Sequence, residues 1–219
     1  RGVAVYKGRV YVGTLDGRLV ALDQKTGKVA FEKVVVPNQK DYTITGAPRV
    51  AKGKILIGAG GSEYKARGYL AAYDAETGKE AWRFYTVPGD PSKPFEGKHL
   101  EAAAKTWAPD AWKTGGGGIW QTGAYDPATH LYIVGTGNPY PIYDPQFRPG
   151  DNLYTNSVIA VDVRTGKLAW HFQYTPNDSW DFDEVGIHML YDIKIDGVLR
   201  KVVGHYARNG YYYTIDRTN

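Results

Sequence analysis

The sequence predicts an all-β fold built from a repeated sheet, and three observations support this prediction. The 219 residues include 27 Gly and 12 Pro, a content that is typical of a chain with many turns. Aromatic residues are abundant (18 Tyr, 6 Trp and 6 Phe), and many lie with β-branched residues in short runs that end at Gly or Asp. Similar runs then recur in the same order along the chain.

The repeat consists of three strand-like segments separated by two turns. Its second and third segments are joined by the motif Asp-x-x-Thr-Gly-Lys, in which we expect the Gly to adopt a positive φ at a hairpin turn. The segments of the four copies are 9–14, 17–23 and 26–31; 54–58, 68–74 and 77–82; 130–135, 157–162 and 165–170; and, incompletely, 201–204 and 211–216.

An aromatic residue follows each complete turn motif at the same position, as Phe31, Trp82 and Trp170. A residue type that recurs at one position of a repeat indicates a common packing role, here between neighbouring units. Sheets that repeat in this way around an axis form a β-propeller. The alternative, a set of unrelated β-hairpins, does not explain the repeat.

We expect the chain to be an internal piece of a longer protein, with residues 1–219 forming one partial propeller domain. It opens on Arg1 rather than Met, and it ends at Asn219 within the fourth copy of the repeat. Three units and part of a fourth form an open arc, whose end sheets would be uncovered.

Charge and composition exclude several classes of function. The net charge is only +4 and the basic residues are spread along the chain, so the sequence predicts no nucleic-acid partner. The chain has no cysteine, which excludes disulfides, thiolate metal sites and covalently attached c-type haem within these residues. No apolar run approaches the length of a membrane span, and the sequence contains no secretory signal.

Two long segments interrupt the repeat, and we expect function to lie there. The first, 86–118, contains an Ala-rich run at 101–107 that predicts a short helix, and it closes with four glycines at 115–118. A glycine run allows the backbone to approach another group closely. The second, 138–156, is a Pro-rich loop.

The densest group of acidic residues lies in 175–184, directly after a strand-like run at 168–174. Asp181 and Asp183 are two residues apart, and in an extended backbone they would point to the same side. Two carboxylates on one side repel each other unless a cation lies between them or one is protonated. From the spacing alone, a cation site and a solvated acidic turn remain equal alternatives.

Five further segments, in this order, resemble the quinoprotein alcohol dehydrogenases, the methanol/ethanol dehydrogenase family that uses pyrroloquinoline quinone (PQQ). They are 61–68, 135–139, 148–152, 175–181 and 208–218. The turn motif with its aromatic residue is similar to the tryptophan-docking repeat of that family's eight-bladed propeller. The resemblance implies that about half of the propeller is present.

The resemblance also implies a role for particular residues. Asp181 matches both a metal ligand and the catalytic base, and Arg208 matches the arginine beside the quinone oxygens. Trp120 matches the tryptophan that stacks under the cofactor plane. The other implied metal ligands are Glu63 and Asn138, and the other implied cofactor contacts are Arg1, Thr45, Gly60, Gly61 and Ser62.

The residue types suit the implied chemistry. Carboxylate and amide oxygens, without His or Cys, favour Ca²⁺ or another hard ion over Zn²⁺ or Cu. Each assignment has a structural alternative: Glu63 paired with Arg67 in a turn, Trp120 in the core, Asn138 as a turn residue, and Arg208 as a surface charge beside an Asn-Gly turn. We predict structural roles for His171, His188 and His205, because none has the spacing of a ligand.

Asp183 bears on the choice of metal. Members of the resembled family that use Ca²⁺ usually carry a small or neutral residue two places after the catalytic aspartate, and members that use a lanthanide carry an aspartate there. Three carboxylates, from Glu63, Asp181 and Asp183, would balance a trivalent ion. The sequence therefore predicts a lanthanide, with Ca²⁺ as the alternative if Asp183 points into solvent or pairs with a Lys or Arg.

The resemblance implies a periplasmic enzyme that oxidises primary alcohols to aldehydes and passes electrons to a cytochrome c; a homodimer is compatible with it. Departures at 184–186 and 86–100 leave the preferred alcohol open. The alternatives are a non-enzymatic propeller scaffold of the outer-membrane assembly type, and a sibling quinoprotein that acts on sugars or other hydroxyl compounds.

Overall fold

The computed structural model describes residues 2–219, which form four antiparallel sheets that follow one another along the chain. The first sheet contains β1 (Ala4–Tyr6), β2 (Arg9–Gly13), β3 (Arg18–Asp23) and β4 (Val29–Val34). The second contains β5 (Arg49–Ala51), β6 (Lys54–Gly58), β7 (Tyr69–Asp74) and β8 (Glu80–Tyr85). The third contains β9 (Ala124–Asp126), β10 (Leu131–Gly135), β11 (Ser157–Asp162) and β12 (Leu168–Gln173). The fourth contains β13 (Met189–Ile195), β14 (Val198–Tyr206) and β15 (Tyr212–Asp216).

The sheets form consecutive blades of a β-propeller, as the repeat predicts. The strands of each sheet are paired in chain order, and the first strands β1, β5, β9 and β13 contact one another in succession. The repeat located the second, third and fourth strands of the blades but missed these first strands. In three of the four sheets the first strand (β1, β5 or β9) has only three residues. A strand of this length is too short to show a clear alternating pattern.

The Asp-x-x-Thr-Gly-Lys motif forms the turn between the third and fourth strands, and its Gly has the expected positive φ. The values are 71° at Gly27, 69° at Gly78 and 72° at Gly166. In the second sheet, Asp74 Oδ1 accepts hydrogen bonds from the backbone N–H of Glu76 and of Thr77, at 3.1 and 2.8 Å. This Asp therefore satisfies the turn backbone locally, which explains why the motif recurs.

The recurring aromatic residue docks on the turn of the next sheet, so its predicted packing role is confirmed. A methyl group on Gly78 would lie 2.9 Å from the Phe31 ring, and one on Gly166 would lie 2.7 Å from the Trp82 ring. Trp82 Nε1 also donates to the Val163 carbonyl at 3.1 Å. Trp170 Nε1 donates in the same way to the Arg217 carbonyl of the fourth sheet at 3.2 Å.

The hydrophobic core is divided into layers between adjacent sheets. One cluster joins the first and second sheets around Tyr11 and Tyr69, a second joins the second and third around Leu70 and Ile159, and a third joins the third and fourth. The buried residues of these clusters lie mainly on the second and third strands, so the sheets depend on their neighbours for burial of apolar surface.

The predicted helix at 101–107 is displaced. The helix α1 spans Lys98–Ala104, and short 3₁₀ helices lie at Ser62–Tyr64 and Ala111–Thr114. Leu100 and Ala103 lie three residues apart on one face of α1, and both are fully buried. Their burial determines the position of the helix along the chain. After Ala104 the backbone changes to bonds that span three residues, as in Thr106 N to the Ala103 carbonyl at 2.8 Å, and the helix ends there. Among residues 2–219, no helix is both long and apolar enough to cross a membrane.

The docking contact can be separated from the turn conformation by one pair of variants. Gly27 and Gly166 have nearly the same φ, but a methyl group at Gly27 would meet no atom within 4 Å. We expect Gly27→Ala to cost about 1–2 kcal/mol for the left-handed backbone alone. Gly166→Ala should cost roughly 1–3 kcal/mol more, because its methyl group overlaps the Trp82 ring. Denaturant unfolding of the full-length protein measures both, and equal losses would contradict the docking role.

Candidate active site

Strand direction places the predicted site residues at one end of the blades. In an antiparallel sheet whose strands pair in order, the second and fourth strands end on the same side. Each predicted residue within 2–219 lies in a connection that starts there, after a second or a fourth strand. The connections that start after second strands carry Glu63, Asn138 and Arg208, and those that start after fourth strands carry Thr45, Trp120, Asp181 and Asp183. The docking turns lie at the opposite end.

The glycine run 115–118 brings two of these connections together. Gly116 N donates to the Ala66 carbonyl at 3.1 Å, and Gly117 N donates to the Asn138 carbonyl at 2.9 Å. A methyl group on Gly117 would lie 2.5 Å from Thr86 Oγ1, so only glycine fits there. The predicted close approach is confirmed, and it links the loop that carries Glu63 to the loop that carries Asn138.

Glu63 lies on the 3₁₀ helix Ser62–Tyr64 and is exposed. Its predicted alternative partner, Arg67, is engaged elsewhere: two guanidinium nitrogens donate to Glu96 at 2.7 and 3.0 Å, and the guanidinium lies 3.9 Å from the Tyr85 ring centre. The alternative that pairs Glu63 with Arg67 is therefore wrong. The insert 86–118 supplies Glu96, which pairs with the charge of Arg67.

The acidic segment 175–184 is wound around the buried carboxylate of Asp178. Asp178 is 1% exposed; its Oδ1 accepts the backbone N–H of Trp180 and its Oδ2 that of Phe182, both at 3.0 Å. These two N–H groups flank Asp181. Asp181 and Asp183 have φ values of 63° and 51°, so the extended backbone expected for them is wrong. The segment is a tight loop held from inside by Asp178 rather than a solvated turn.

Arg148 fastens this acidic loop to the loop that begins at Asn138. It is fully buried, and its guanidinium donates to the side-chain oxygens of Asn152 and Asn177, at 3.0 and 2.7 Å. It also donates to the backbone carbonyls of Pro141, Ile142 and Asp178. Burial lowers the pKa of Arg148 to about 10, and the charge of Asp178 opposes that shift.

Asp183 points into the site. Its Oδ1 accepts the backbone N–H of Asn138 at 2.9 Å, and the Trp120 side chain also forms a hydrogen bond with it. Burial raises the pKa of Asp183 to about 6, and the charges of Asp181 and Glu63 raise it further against these hydrogen bonds. Within the described range 2–219, no cation is among the main influences on its pKa. The alternatives in which Asp183 faces solvent or pairs with a Lys or Arg are not what the structure shows.

Trp120 is half-buried rather than a core tryptophan. Thr45 Oγ1 donates to the Trp120 carbonyl at 3.3 Å, and a methyl group on Gly60 would lie 3.3 Å from Trp120 Cβ. Gly61 has a φ of 117° and packs on the Asp41 carbonyl, beside Ser62. Thr45, Gly60 and Trp120 are thus brought together as predicted, whereas Arg1 lies outside the described residues.

Arg208 is exposed, and among residues 2–219 no acidic side chain pairs with its guanidinium. Its backbone N–H donates to both carboxylate oxygens of Glu184, at 3.0 and 3.2 Å. The sequence did not indicate Glu184, because its acidic neighbours hide it within one charged run. Its fully buried position becomes visible only in the fold.

The three histidines have the structural roles that were predicted. His205 Nε2 lies 2.9 Å from Glu184 Oε2, and His188 stacks on His205 with ring centres 4.1 Å apart. Burial and the charge of His205 lower the pKa of His188 to about 3. His171 packs edge-on against the Tyr154 ring, and burial lowers its pKa.

The site has the chemistry of a hard-cation site, but its carboxylates are not gathered on one point. Among residues 2–219, no three His, Cys, Asp or Glu side chains are grouped so as to hold an ion by themselves. Asn138 contributes a buried amide whose Nδ2 has no partner. The oxygen donors and the repulsion that acts on Asp183 fit a cation, and the unpartnered Nδ2 of Asn138, a hydrogen-bond donor, fits an acceptor atom of a bound group.

The whole chain, residues 1–219, matches a family described as PQQ glucose/ethanol/alcohol dehydrogenase, β-propeller domain. It is 55% identical to a quinohemoprotein alcohol dehydrogenase, ADH IIB, from Pseudomonas putida; the alignment covers 100% of the chain and 32% of that protein. It is 51% identical to the Comamonas testosteroni quinohemoprotein alcohol dehydrogenase, again over 100% of the chain and 32% of the relative. The chain thus spans about a third of the length of these relatives.

Solved structures agree in fold. The quinohemoprotein alcohol dehydrogenase ADHIIG from Pseudomonas putida HK5 superposes with a TM-score of 0.95 at 53% identity, over 100% of this chain and 33% of that one. A europium-containing methanol dehydrogenase superposes with a TM-score of 0.90 at 35% identity, over 100% of this chain and 39% of that one.

The role of Asp178 predicts a difference between two conservative variants. Asp178 uses both carboxylate oxygens to accept N–H groups, whereas Asp74 accepts all of its turn bonds through Oδ1. Asp178→Asn should therefore leave one buried N–H unpaired and cost about 1–3 kcal/mol. Asp74→Asn keeps its acceptor oxygen and should change stability by less than about 0.5 kcal/mol. Denaturant unfolding compares the two, and equal effects would contradict the capping role.

The raised pKa of Asp183 predicts that Asp183→Asn stabilises the metal-free protein, and that the gain depends on pH. Because folding raises this pKa from near 4 to about 6, the protonated form stabilises the fold below pH 4, and that contribution is lost as the pH rises through 6. Asp183→Asn should therefore match the wild type below pH 4 and exceed it by about 1–3 kcal/mol at pH 8. Urea unfolding at pH 4, 6 and 8 measures this, and a difference that is constant with pH would refute it.

Proposed function

Since the chain belongs to the glucose/ethanol/alcohol dehydrogenase β-propeller family, we propose that the protein containing it oxidises primary alcohols to aldehydes with PQQ as cofactor. Relatives at 51–55% identity are named quinohemoprotein alcohol dehydrogenases. The structural observation that carries the proposal is Asp183, which is held by Asn138 and Trp120 within electrostatic range of Asp181 and Glu63. A propeller that served only as a scaffold would have no need for this arrangement of carboxylates beside a tryptophan.

We propose that Glu63, Asn138, Asp181 and Asp183 hold the metal ion, and that this ion is a lanthanide. Three carboxylates balance a trivalent charge, and no cation among residues 2–219 is a main influence on Asp183. The europium-containing methanol dehydrogenase among the structural neighbours supports this choice. Calcium is the alternative, since the same hard oxygen donors also suit Ca²⁺.

When bound, PQQ would supply the two-electron acceptor for the hydride of the alcohol, and a metal ion held by these residues would supply Lewis acidity. Asp181 then takes the proton of the alcohol hydroxyl as general base. The Asp178 carboxylate holds the N–H groups on both sides of Asp181 and so fixes the backbone that carries this base. The Tyr143 hydroxyl donates to Asp181 Oδ2 over 3.4 Å and limits the directions in which the carboxylate can turn.

Arg208 and Trp120 act on the cofactor side of the reaction. The guanidinium of Arg208, which pairs with no acid among residues 2–219, is available to stabilise negative charge that develops on the quinone oxygens. Trp120 offers an aromatic face to a planar ring system, while its hydrogen bond to Asp183 fixes the orientation of the indole. Thr45, Gly60, Gly61 and Ser62 line the polar edge of the same space.

We further propose that the electron acceptor is a cytochrome c and that the protein acts in the periplasm. A relative from Thauera butanivorans, 46% identical over 100% of the chain and 33% of its own length, is named 1-butanol dehydrogenase (cytochrome c). The family description also includes glucose dehydrogenases, so a sugar or another hydroxyl compound is the second candidate substrate.

Dye-linked alcohol oxidation by the full-length protein, reconstituted with PQQ and either La³⁺ or Ca²⁺, tests the proposal. We expect activity with La³⁺, and we expect Asp183→Ala to abolish it because the trivalent charge is then under-balanced. Glu76→Ala, which removes an exposed carboxylate paired with Lys7 at 3.2 Å, is the matched control and should remain active.

The outcomes separate the parts of the proposal. Activity with Ca²⁺ alone would retain the reaction and overturn the lanthanide assignment. Oxidation of sugars in preference to primary alcohols would favour the second candidate substrate. The absence of both activity and PQQ uptake with either ion would overturn the proposed function.

A further inference from the structure

Glu184 is a fully buried carboxylate with no Lys or Arg side chain paired to it among residues 2–219. Its oxygens instead accept the backbone N–H of Arg208 at 3.0 and 3.2 Å, and Oε2 lies 2.9 Å from His205 Nε2. Burying a charge in this way is costly unless several donors satisfy it. The contacts with Arg208 N–H and His205 therefore hold the Glu184 carboxylate in one position.

The two stacked histidines explain how this position is maintained. His205 has an acceptor at each ring nitrogen, Ile187 O at 3.1 Å from Nδ1 and Glu184 Oε2 at Nε2. His188 lies parallel to it, with its Nδ1 2.9 Å from Gly186 O and its Nε2 3.1 Å from the Tyr174 hydroxyl. His205 therefore links the Ile187 carbonyl to the Glu184 carboxylate, and His188 covers this pair.

Asp183 and Glu184 are adjacent in sequence and hold different loops. Asp183 accepts the N–H of Asn138, and Glu184 accepts that of Arg208. The backbone of Glu184 is closely packed against the end of β10, because a methyl group on Gly135 would lie 1.8 Å from the Glu184 carbonyl oxygen. The dipeptide thus fixes the loop of a proposed metal ligand and the loop of the proposed cofactor arginine relative to each other.

We propose that Glu184 is a positioning residue for Arg208. Its carboxylate, held by His205, fixes the backbone from which the exposed guanidinium of Arg208 extends toward the cofactor. This inference rests on the proposed function for the role of Arg208. The contact between Glu184 and the Arg208 backbone does not depend on that function.

The contact is tested first without cofactor or substrate, by hydrogen–deuterium exchange of the full-length protein. Glu184→Ala should remove the acceptor and speed exchange of the Arg208 amide by at least about tenfold. Glu184→Gln should keep it protected, because the amide oxygen can accept the same N–H while its NH₂ group faces His205. Equal protection in the wild type and in Glu184→Ala would overturn the inference.

A double-mutant cycle with Arg208→Ala then tests whether Glu184 acts through Arg208. Glu184→Ala should lower kcat/KM roughly 10- to 100-fold in the wild type, since displacement of a reacting group costs that much. It should add little in the Arg208→Ala background, and Glu184→Gln should restore most of the loss. Asp126→Ala is the matched control: it truncates another buried acid, paired with Arg217 at 2.9 Å, and its effect should be the same in both backgrounds.

Additive effects of Glu184→Ala and Arg208→Ala would show a structural role only and would overturn the proposal. A wild type without PQQ-dependent oxidation would instead overturn the proposed function. In that case the amide exchange of Arg208 still decides whether Glu184 positions it.

Discussion

The aromatic ring that each fourth strand places on the turn glycine of the next sheet is the contact on which the rest of the structure depends. Phe31 and Trp82 pack against Gly78 and Gly166, and the Trp82 indole also donates to a backbone carbonyl beyond its own sheet. Because this contact repeats once per unit, it sets the angle and spacing between blades. Each core layer lies between two sheets that are joined by such a contact.

The docking turns occupy one end of the blades, and the long connections therefore meet at the other. Backbone bonds between loops hold them there: the glycine run joins Ala66 to Asn138, and Arg148 joins the Asn138 loop to the acidic loop. The propeller supplies the direction of each connection, and these bonds supply its final position. The site is thus built from loops, but each loop is fixed by at least one buried polar group.

Charge is distributed unevenly across this end. Two cations that lie near the proposed ligands in sequence are engaged elsewhere, Arg67 with Glu96 and Arg148 with neutral oxygens of the surrounding loops. Burial is the main reason that the pKa of Asp183 rises, and the charges of Asp181 and Glu63 raise it further. Such an excess of negative charge is what a metal ion compensates, and it is retained despite its cost to stability.

The sequence by itself determined the repeated strands, the turn geometry and the types of donor atom, because these follow from local backbone preference and from residue chemistry at a fixed period. It failed where the outcome depended on contacts between distant segments. The bounds of α1 followed burial of Leu100, the backbone at Asp181 followed the Asp178 carboxylate, and Glu184 was hidden in a charged run. Only the tertiary structure decided that Asp183 faces Asn138, 45 residues away, and that Glu184 faces Arg208, 24 residues away. The direction of a side chain in a tight loop depends on the partners that the fold brings near it. These partners come from distant segments, so the local sequence cannot indicate them.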